Sequence, residues 1–182
     1  RSGVFLPITN NGWIISNNSP KFQPTYALNL EISAFAEKIG FDYVFAMGKW
    51  RGFGGATDFW KHQIESSVLV SALAGAVPRL RLIASVAPAL VHPAVFAKMA
   101  ATMDDVSGGR VGVNIVSAGN KGEYTQMGLY PEDFESFRYD YTEEWLTLVK
   151  RLWSEDSVTH RGKYFQLDDC MSFPHPRGGA MP

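Results

Sequence analysis

A polar amide stands near the end of an apolar stretch that follows a glycine turn. Gly108 and Gly109 permit a tight turn, and the mostly β-branched residues 111–116 predict a buried parallel strand. Asn114 and Ser117 fall near the carboxyl end of this strand, where ligand-binding groups collect in α/β folds. Asn114 is either a ligand-binding amide or a buried amide bonded to neighbouring backbone. The residue pattern by itself favours the second interpretation.

A second candidate is the glycine-rich loop at residues 48–55, which carries Lys49, Arg51 and two aromatic rings. Its glycines allow the backbone to approach a flat or anionic ligand closely. The glycine spacing matches neither a P-loop nor a dinucleotide-binding loop. The sequence alone therefore favours solvated cations at this loop.

Metal and nucleophile motifs are missing from the sequence. The histidines are His62, His92, His160 and His175. They lack HExxH spacing, Cys170 is the single cysteine, and no GxSxG elbow occurs. We expect no metal and no disulfide, and we assign no catalytic residue.

Two further groups of polar residues have structural interpretations. His92 precedes Pro93 at an expected helix start, so a capping or core role is favoured over ligand binding. The carboxylate pairs 104–105 and 168–169 consist of sequence neighbours, which usually point in different directions. We expect both pairs to be solvated.

Composition restricts the class of protein. Apolar residues make up 46% of the 182 residues, which is enough for a buried core, and the net charge is −1. We therefore expect neither a nucleic-acid partner nor an anionic membrane partner. There is no apolar run of membrane-spanning length and no signal-peptide pattern, so we expect a cytoplasmic protein.

Alternating strands and helices predict an α/β fold with a parallel sheet. Strands are expected at residues 3–8, 41–47, 80–86 and 111–116, and helices at about 25–39, 64–76, 93–105 and 134–153. The expected inward positions are Leu28, Ile32, Phe35, Ala36 and Ile39 in the first helix, and Val68, Leu69, Ala72 and Leu73 in the second. Long loops follow the strands and short turns follow the helices, which is typical of a TIM (β/α)8 barrel.

The number of strand-helix repeats predicts part of a barrel. A complete barrel needs roughly 250 residues, and this chain supplies about four of the eight repeats. We expect residues 1–182 to be the N-terminal half of one barrel domain, with a hairpin insertion near 157–169 and a connector at 172–182. The natural protein is expected to be longer, or to pack against another chain, because half a barrel exposes strand edges.

Several motifs together resemble the bacterial luciferase-like flavin monooxygenases. They are Asn10-Asn11-Gly12-Trp13-Ile14-Ile15-Ser16, Arg51-Gly52-Phe53-Gly54-Gly55, His92-Pro93, Asp105-Val106-Ser107-Gly108-Gly109-Arg110 and Arg138-Tyr139-Asp140-Tyr141. The Ser-Gly-Gly-Arg turn indicates the fold, whereas the first two motifs are more discriminating. Within the family, the chain most resembles the enzymes that oxygenate pyrimidines.

This resemblance implies a two-component oxygenase. It implies a luciferase-like barrel that takes reduced FMN from a separate NAD(P)H-dependent flavin reductase, uses O2 as co-substrate and oxygenates a small organic molecule, such as a pyrimidine-like heterocycle. A homo-oligomer is expected. Because the redox chemistry belongs to the cofactor, the protein has to orient it and exclude water.

The resemblance also assigns flavin-binding positions. The matched residues are Gly48, Lys49, Asn114, Glu123, Arg138 and Tyr139. An amide such as Asn114 suits the carbonyl and N–H edge of a flavin, and the arginine fork suits its oxygens. Trp13, Trp50 and Phe53 either line a dry pocket or serve as ordinary loop packing.

Two positions depart from the family pattern and leave the substrate open. Position 48 is Gly where a larger side chain is common, so any contact there is through backbone, and Pro88 follows a strand end where relatives carry small residues other than proline. Two other functions therefore stay open. One is hydride transfer with the deazaflavin F420, and the other is a non-catalytic flavin-binding half-barrel.

Overall fold

The computed structural model describes residues 1–177, which divide into two compact units. The first consists of residues 1–86 and 110–114, and the second of residues 87–109 together with the chain from 115 onward. No helix among the described residues is both long and apolar enough to cross a bilayer.

A four-stranded sheet is the framework of the first unit. Its strands are β1 (Gly3–Phe5), β2 (Tyr43–Ala46), β3 (Arg81–Val86) and β4 (Val111–Ile115), and its helices are α1 (Tyr26–Lys38) and α2 (Ser66–Ala74). The strands lie in the order β1-β2-β3-β4, and both β1 with β2 and β2 with β3 pair in parallel. This sequential order confirms the predicted α/β class, because parallel neighbours need helical crossovers.

Arg110 holds the chain that leads into β3. Its guanidinium donates to the carbonyl oxygens of Ala74, Val77 and Leu80 at 2.7, 2.7 and 2.8 Å. These carbonyls lie at the end of α2 and in the turn that follows, where helical partners run out. The turn before β3 is therefore tied to the residue that precedes β4.

Helix α1 packs differently from the sequence prediction. Its buried residues are Asn29, Ser33 and Ala36, whereas Phe35 and Ile39 are 59% and 54% exposed. Asn29 Nδ2 donates to the Thr25 carbonyl and Ser33 Oγ donates to the Asn29 carbonyl, so burial leaves these donors satisfied within the helix. The prediction that Phe35 and Ile39 point inward was wrong.

Helix α2 begins at Ser66 rather than at residue 64, because Glu65 is its N-cap and accepts the Val68 N–H at 2.7 Å. Leu69 and Leu73 are buried as predicted. Val68 is 68% exposed and Ala72 is also exposed, so these two inward assignments were wrong.

The second unit packs two long helices against each other. Its elements are α3 (Pro93–Ser107), α4 (Lys121–Thr125), α5 (Phe134–Ser154), β5 (Val158–Arg161) and β6 (Gln166–Cys170). Trp145 and Trp153 are fully buried, and their indole N–H groups donate to the carbonyls of Val91 and Ala97 at 2.8 and 3.0 Å. Phe96 packs beside both indoles.

The outlying segments of this unit agree only partly with the predictions. The hairpin of β5 and β6 is antiparallel, as expected, but the segment between β4 and α5 contains the short helix α4, which was not predicted. The expectation that Asp104 is solvated was wrong: it is 3% exposed, and its carboxylate accepts the Arg177 N–H at 2.7 Å. Residues 172–177 form neither an α-helix nor a β-strand, as the predicted connector requires. Residues 178–182 of that connector lie outside the described residues.

Replacing Arg110→Lys should lower the free energy of unfolding by about 2 kcal/mol, since one ammonium cannot serve three divergent carbonyls. Urea denaturation measures this loss. Arg79→Lys is the matched control. The Arg79 side chain is 74% exposed, and its single ion pair with Glu37, at 3.6 Å, is of a kind that contributes little to stability. Equal stability of the two variants would contradict the role given to Arg110.

Candidate functional site

A chain of hydrogen bonds links the carboxyl ends of three neighbouring strands. Ser66 Oγ donates to the Ala46 carbonyl at the end of β2 and accepts the Ser85 N–H of β3, both at 2.8 Å. Asn114 Nδ2 of β4 then donates to Ser85 Oγ at 3.0 Å. Ser66 and Ser85 are buried. The Asn114 amide is thus bonded to Ser85, whose backbone is in turn bonded to Ser66.

Two of the predicted flavin-binding positions meet at Ser85. Asn114 bonds to its hydroxyl, and a Cβ placed on Gly48 would lie 3.4 Å from Ser85 Cβ, which is ordinary contact. An amide has two donors and an acceptor oxygen, so the bond to Ser85 leaves Asn114 with further capacity for a ligand. Gly48 presents its backbone beside that amide.

Lys49 is associated with aromatic rings of the same unit. Its ammonium lies 4.1 Å from the ring centre of Phe53 and 5.8 Å from that of Trp60. Trp13 meets Trp60 edge-on at 4.8 Å, and Trp60 Nε1 donates to the Gly12 carbonyl at 2.6 Å. Two of the rings predicted for a pocket, Trp13 and Phe53, therefore share one cluster and are 50% and 61% exposed. The third, Trp50, is 41% exposed.

Arg138 and Tyr139 form a pair at the start of α5 in the second unit. Nη2 of Arg138 donates to the Tyr139 hydroxyl at 3.2 Å, and Nη1 donates to the Ser117 carbonyl at 3.3 Å. Nε of Arg138 is buried and has no hydrogen-bond partner among the described residues. A buried donor without an acceptor costs free energy. The guanidinium is therefore suited to donate one more hydrogen bond, to a ligand oxygen.

Glu123 lies in α4 and is 5% exposed. Burial, the charge of Glu123 and the neighbouring Tyr130 together raise the pKa of Tyr124 to about 12. Tyr124 therefore keeps its proton at neutral pH. It lies in an apolar cluster with Ala87, Ala118 and Phe134.

The remaining polar candidates have structural roles. His92 Nδ1 accepts the Ala94 N–H at 3.3 Å and caps α3, as predicted. His160 lies 3.0 Å from the carboxylate of Glu144. Across residues 1–177, no three His, Cys, Asp or Glu side chains come together in a way that could hold a metal ion.

Sequence reasoning missed Ser66, Ser85 and Glu144. Ser85 had a usable signal, since it is a hydroxyl near the end of an apolar strand, the same feature that singled out Asn114. Ser66 and Glu144 had none, because their partners lie 16 to 21 residues away along the chain.

Comparison with known proteins gives a match along the whole chain. A sequence model of the luciferase-like monooxygenases matches residues 1–182. The chain is 46% identical over 176 residues to a Rhizobium rhizogenes protein named pyrimidine monooxygenase RutA, and 47% identical to the Caulobacter vibrioides protein of that name. These matches cover 96% of this chain but 48% and 50% of the two relatives, so the chain spans about half of their length.

Solved structures share the fold. A crystal structure of riboflavin lyase RcaE, with modified FMN and riboflavin, matches with a TM-score of 0.84 at 21% identity, over 100% of this chain and 48% of that one. An F420-dependent secondary alcohol dehydrogenase, in complex with an F420-acetone adduct, matches with a TM-score of 0.75 at 25% identity. This match covers 97% of this chain and 49% of the dehydrogenase chain. These likenesses confirm the predicted partial barrel.

Removing the Ser66 hydroxyl should destabilise the strand ends. Ser66→Ala leaves a buried N–H on Ser85 and a buried carbonyl on Ala46 without this partner, which should cost about 1–3 kcal/mol of unfolding free energy. Chemical denaturation measures the loss.

The adjacent Ser67 is a matched control, because its hydroxyl is equally buried but has no hydrogen-bond partner among the described residues. Ser67→Ala should be neutral or stabilising. A larger loss for Ser67→Ala than for Ser66→Ala would contradict the network.

Proposed function

Because the chain belongs to the luciferase-like monooxygenase family, we propose that it is part of a flavin-dependent monooxygenase that oxygenates a small pyrimidine-like heterocycle with reduced FMN and O2. The observation that carries this proposal is the 46% identity to pyrimidine monooxygenase RutA over 96% of the chain. Residues 1–182 would then be the N-terminal half of one barrel domain, with the hairpin of β5 and β6 as an insertion.

The donor groups on the chain fit a flavin. Asn114 has hydrogen-bonding capacity beyond its bond to Ser85, and the buried Nε–H of Arg138 lacks an acceptor among the described residues. A flavin offers ring carbonyls, a ring N–H and phosphate oxygens, which match an amide and a guanidinium. The predicted set of Gly48, Lys49, Asn114, Glu123, Arg138 and Tyr139 is retained as the proposed flavin-binding set.

The residues of the chain would act by binding and by excluding water. Reduced FMN supplies the chemistry, since it activates O2 for transfer of one oxygen atom to the substrate. Ser85, whose backbone is bonded to Ser66, restrains the Asn114 amide through one hydrogen bond, which reduces the cost of binding. Phe53 and Trp13 offer exposed apolar faces that can keep solvent away from a reacting centre.

Three further features complete the proposal. The reduced FMN comes from a separate NAD(P)H-dependent flavin reductase, as in other two-component systems. The protein is a homo-oligomer, and it works in the cytoplasm.

An F420-dependent oxidoreductase is the second candidate function. The 25% identity to an F420-dependent secondary alcohol dehydrogenase favours it, although this identity is far lower than that to the RutA proteins. F420 would transfer hydride without oxygen, so dependence on O2 separates the two functions.

With the intact protein, reduced FMN, ¹⁸O2 and uracil as the test pyrimidine, we expect one ¹⁸O atom in the product, measured by mass spectrometry. The control replaces reduced FMN by reduced F420 under argon. Turnover only in the control would favour the second candidate. Flavin binding without turnover on any heterocycle tested would favour a non-catalytic flavin-binding protein.

Arg138→Lys should weaken FMN binding about tenfold, because lysine has no Nε–H and no planar fork. Quenching of FMN fluorescence by the intact protein measures the dissociation constant. The matched control is Arg151→Lys on the same helix, where Arg151 pairs with Glu155 at 2.7 Å on the surface. Equal affinity of the two variants would remove Arg138 from the proposed site.

A further inference from the structure

One carboxylate fastens the hairpin of β5 and β6 to α5. Glu144 Oε1 accepts the N–H of Phe165 at 3.0 Å, and Oε2 accepts those of Lys163 and Tyr164, both at 3.1 Å. The ring of His160 lies 3.0 Å from Oε1. Three successive backbone donors of the hairpin turn thus depend on one side chain.

The surroundings of this carboxylate are adapted to it. A Cβ at Gly162 would overlap both the Glu144 carboxylate and the His160 ring, so position 162 has no room for a side chain. Burial raises the pKa of Glu144, but the N–H groups of Phe165 and Tyr164 and the His160 ring lower it by more, so the pKa lies below its ordinary value. The carboxylate is therefore charged at neutral pH, when its acceptor capacity is greatest.

The hairpin that Glu144 holds presses two aromatic rings against the beginning of α5. Tyr164 stacks on Phe137 with ring centres 5.4 Å apart and an interplanar angle of 14°. The ring centre of Tyr141 lies 4.8 Å from that of Phe165 and 5.3 Å from that of Tyr164. Phe137 and Tyr141 flank the turn of helix that carries Arg138.

We propose that Glu144 is a positioning residue for the Arg138 guanidinium, acting through Tyr164 and Phe165 on the first turns of α5. The guanidinium donates single hydrogen bonds to the Ser117 carbonyl and the Tyr139 hydroxyl, and it lies 4.8 Å from the centre of the Tyr139 ring. The backbone that carries this side chain lies between Phe137 and Tyr141, which pack on the buried Phe134 on one side and on the hairpin rings on the other. The functional consequence, tighter flavin binding, rests on the proposed function.

Glu144→Gln tests the proposal with little change of shape, because the amide nitrogen cannot accept the turn N–H groups. In the intact protein, FMN affinity measured by fluorescence quenching should fall about tenfold, the upper part of the range for coupling through a packed network. The control is Glu143→Gln, which removes the same charge from the adjacent, exposed position and should leave affinity within a factor of about two.

A double-mutant cycle distinguishes positioning from general stability. If Glu144 acts through Arg138, the variant with both Arg138→Ala and Glu144→Gln should bind FMN no more weakly than Arg138→Ala alone. If the loss of FMN affinity in the double variant equalled the product of the two single-variant losses, the proposal would be overturned. If Glu144→Gln does not fold, Tyr164→Leu tests the same path, since it keeps the backbone bonds to Glu144 but removes the ring from Phe137.

Amide hydrogen exchange separates this proposal from the proposed function. Glu144→Gln should speed exchange at residues 163–165 and 137–141, whereas Glu143→Gln should not. If the wild-type protein bound no FMN, the proposed function would fail while the exchange rates still decided whether Glu144 orders the helix. Faster exchange at 163–165 alone would overturn the positioning role.

Discussion

Buried polar groups at the ends of parallel strands must find hydrogen-bond partners, and this requirement governs the first unit. Ser66 Oγ donates to the Ala46 carbonyl and accepts the Ser85 N–H. Ser85 Oγ accepts a hydrogen bond from the Asn114 amide. An unmade bond of this kind costs about 1–3 kcal/mol, a large fraction of the stability of a domain. The same bonds that satisfy the sheet therefore also orient the amide that is proposed to bind the flavin.

In the second unit, charged side chains provide hydrogen-bond partners for backbone groups outside the long helices. Glu144 collects three backbone N–H groups of the hairpin, and Arg138 serves a carbonyl and a hydroxyl while its buried Nε–H lacks an acceptor among the described residues. Hydrogen bonds to ionised groups are stronger than those between neutral groups, so one side chain can hold the hairpin turn against α5. The donor left over on Arg138 marks a place where a ligand oxygen would complete the structure.

The sequence predicted the alternation of strands and helices, because β-branched runs, glycine turns and helical spacing are local signals. It failed for the inward face of α1, where Asn29 and Ser33 are buried in place of Phe35 and Ile39. Which face of α1 is buried depends on its packing against β1 and α2, which the local spacing does not record. Gly48 and Asn114 were both identified and do meet at Ser85, but the roles of Ser66 and Glu144 arise from contacts between distant segments. No local pattern records such contacts.

The central proposal is that the residues of the proposed set, Gly48, Lys49, Asn114, Glu123, Arg138 and Tyr139, bind a flavin. Hydrogen–deuterium exchange of the intact protein, with and without FMN, tests it most directly. The account predicts slower exchange with FMN at residues 46–49, 114–124 and 137–141, and no change at the amino-terminal turns of the strands, residues 40–42 and 108–110. Protection confined to those turns, or no protection anywhere, would contradict it.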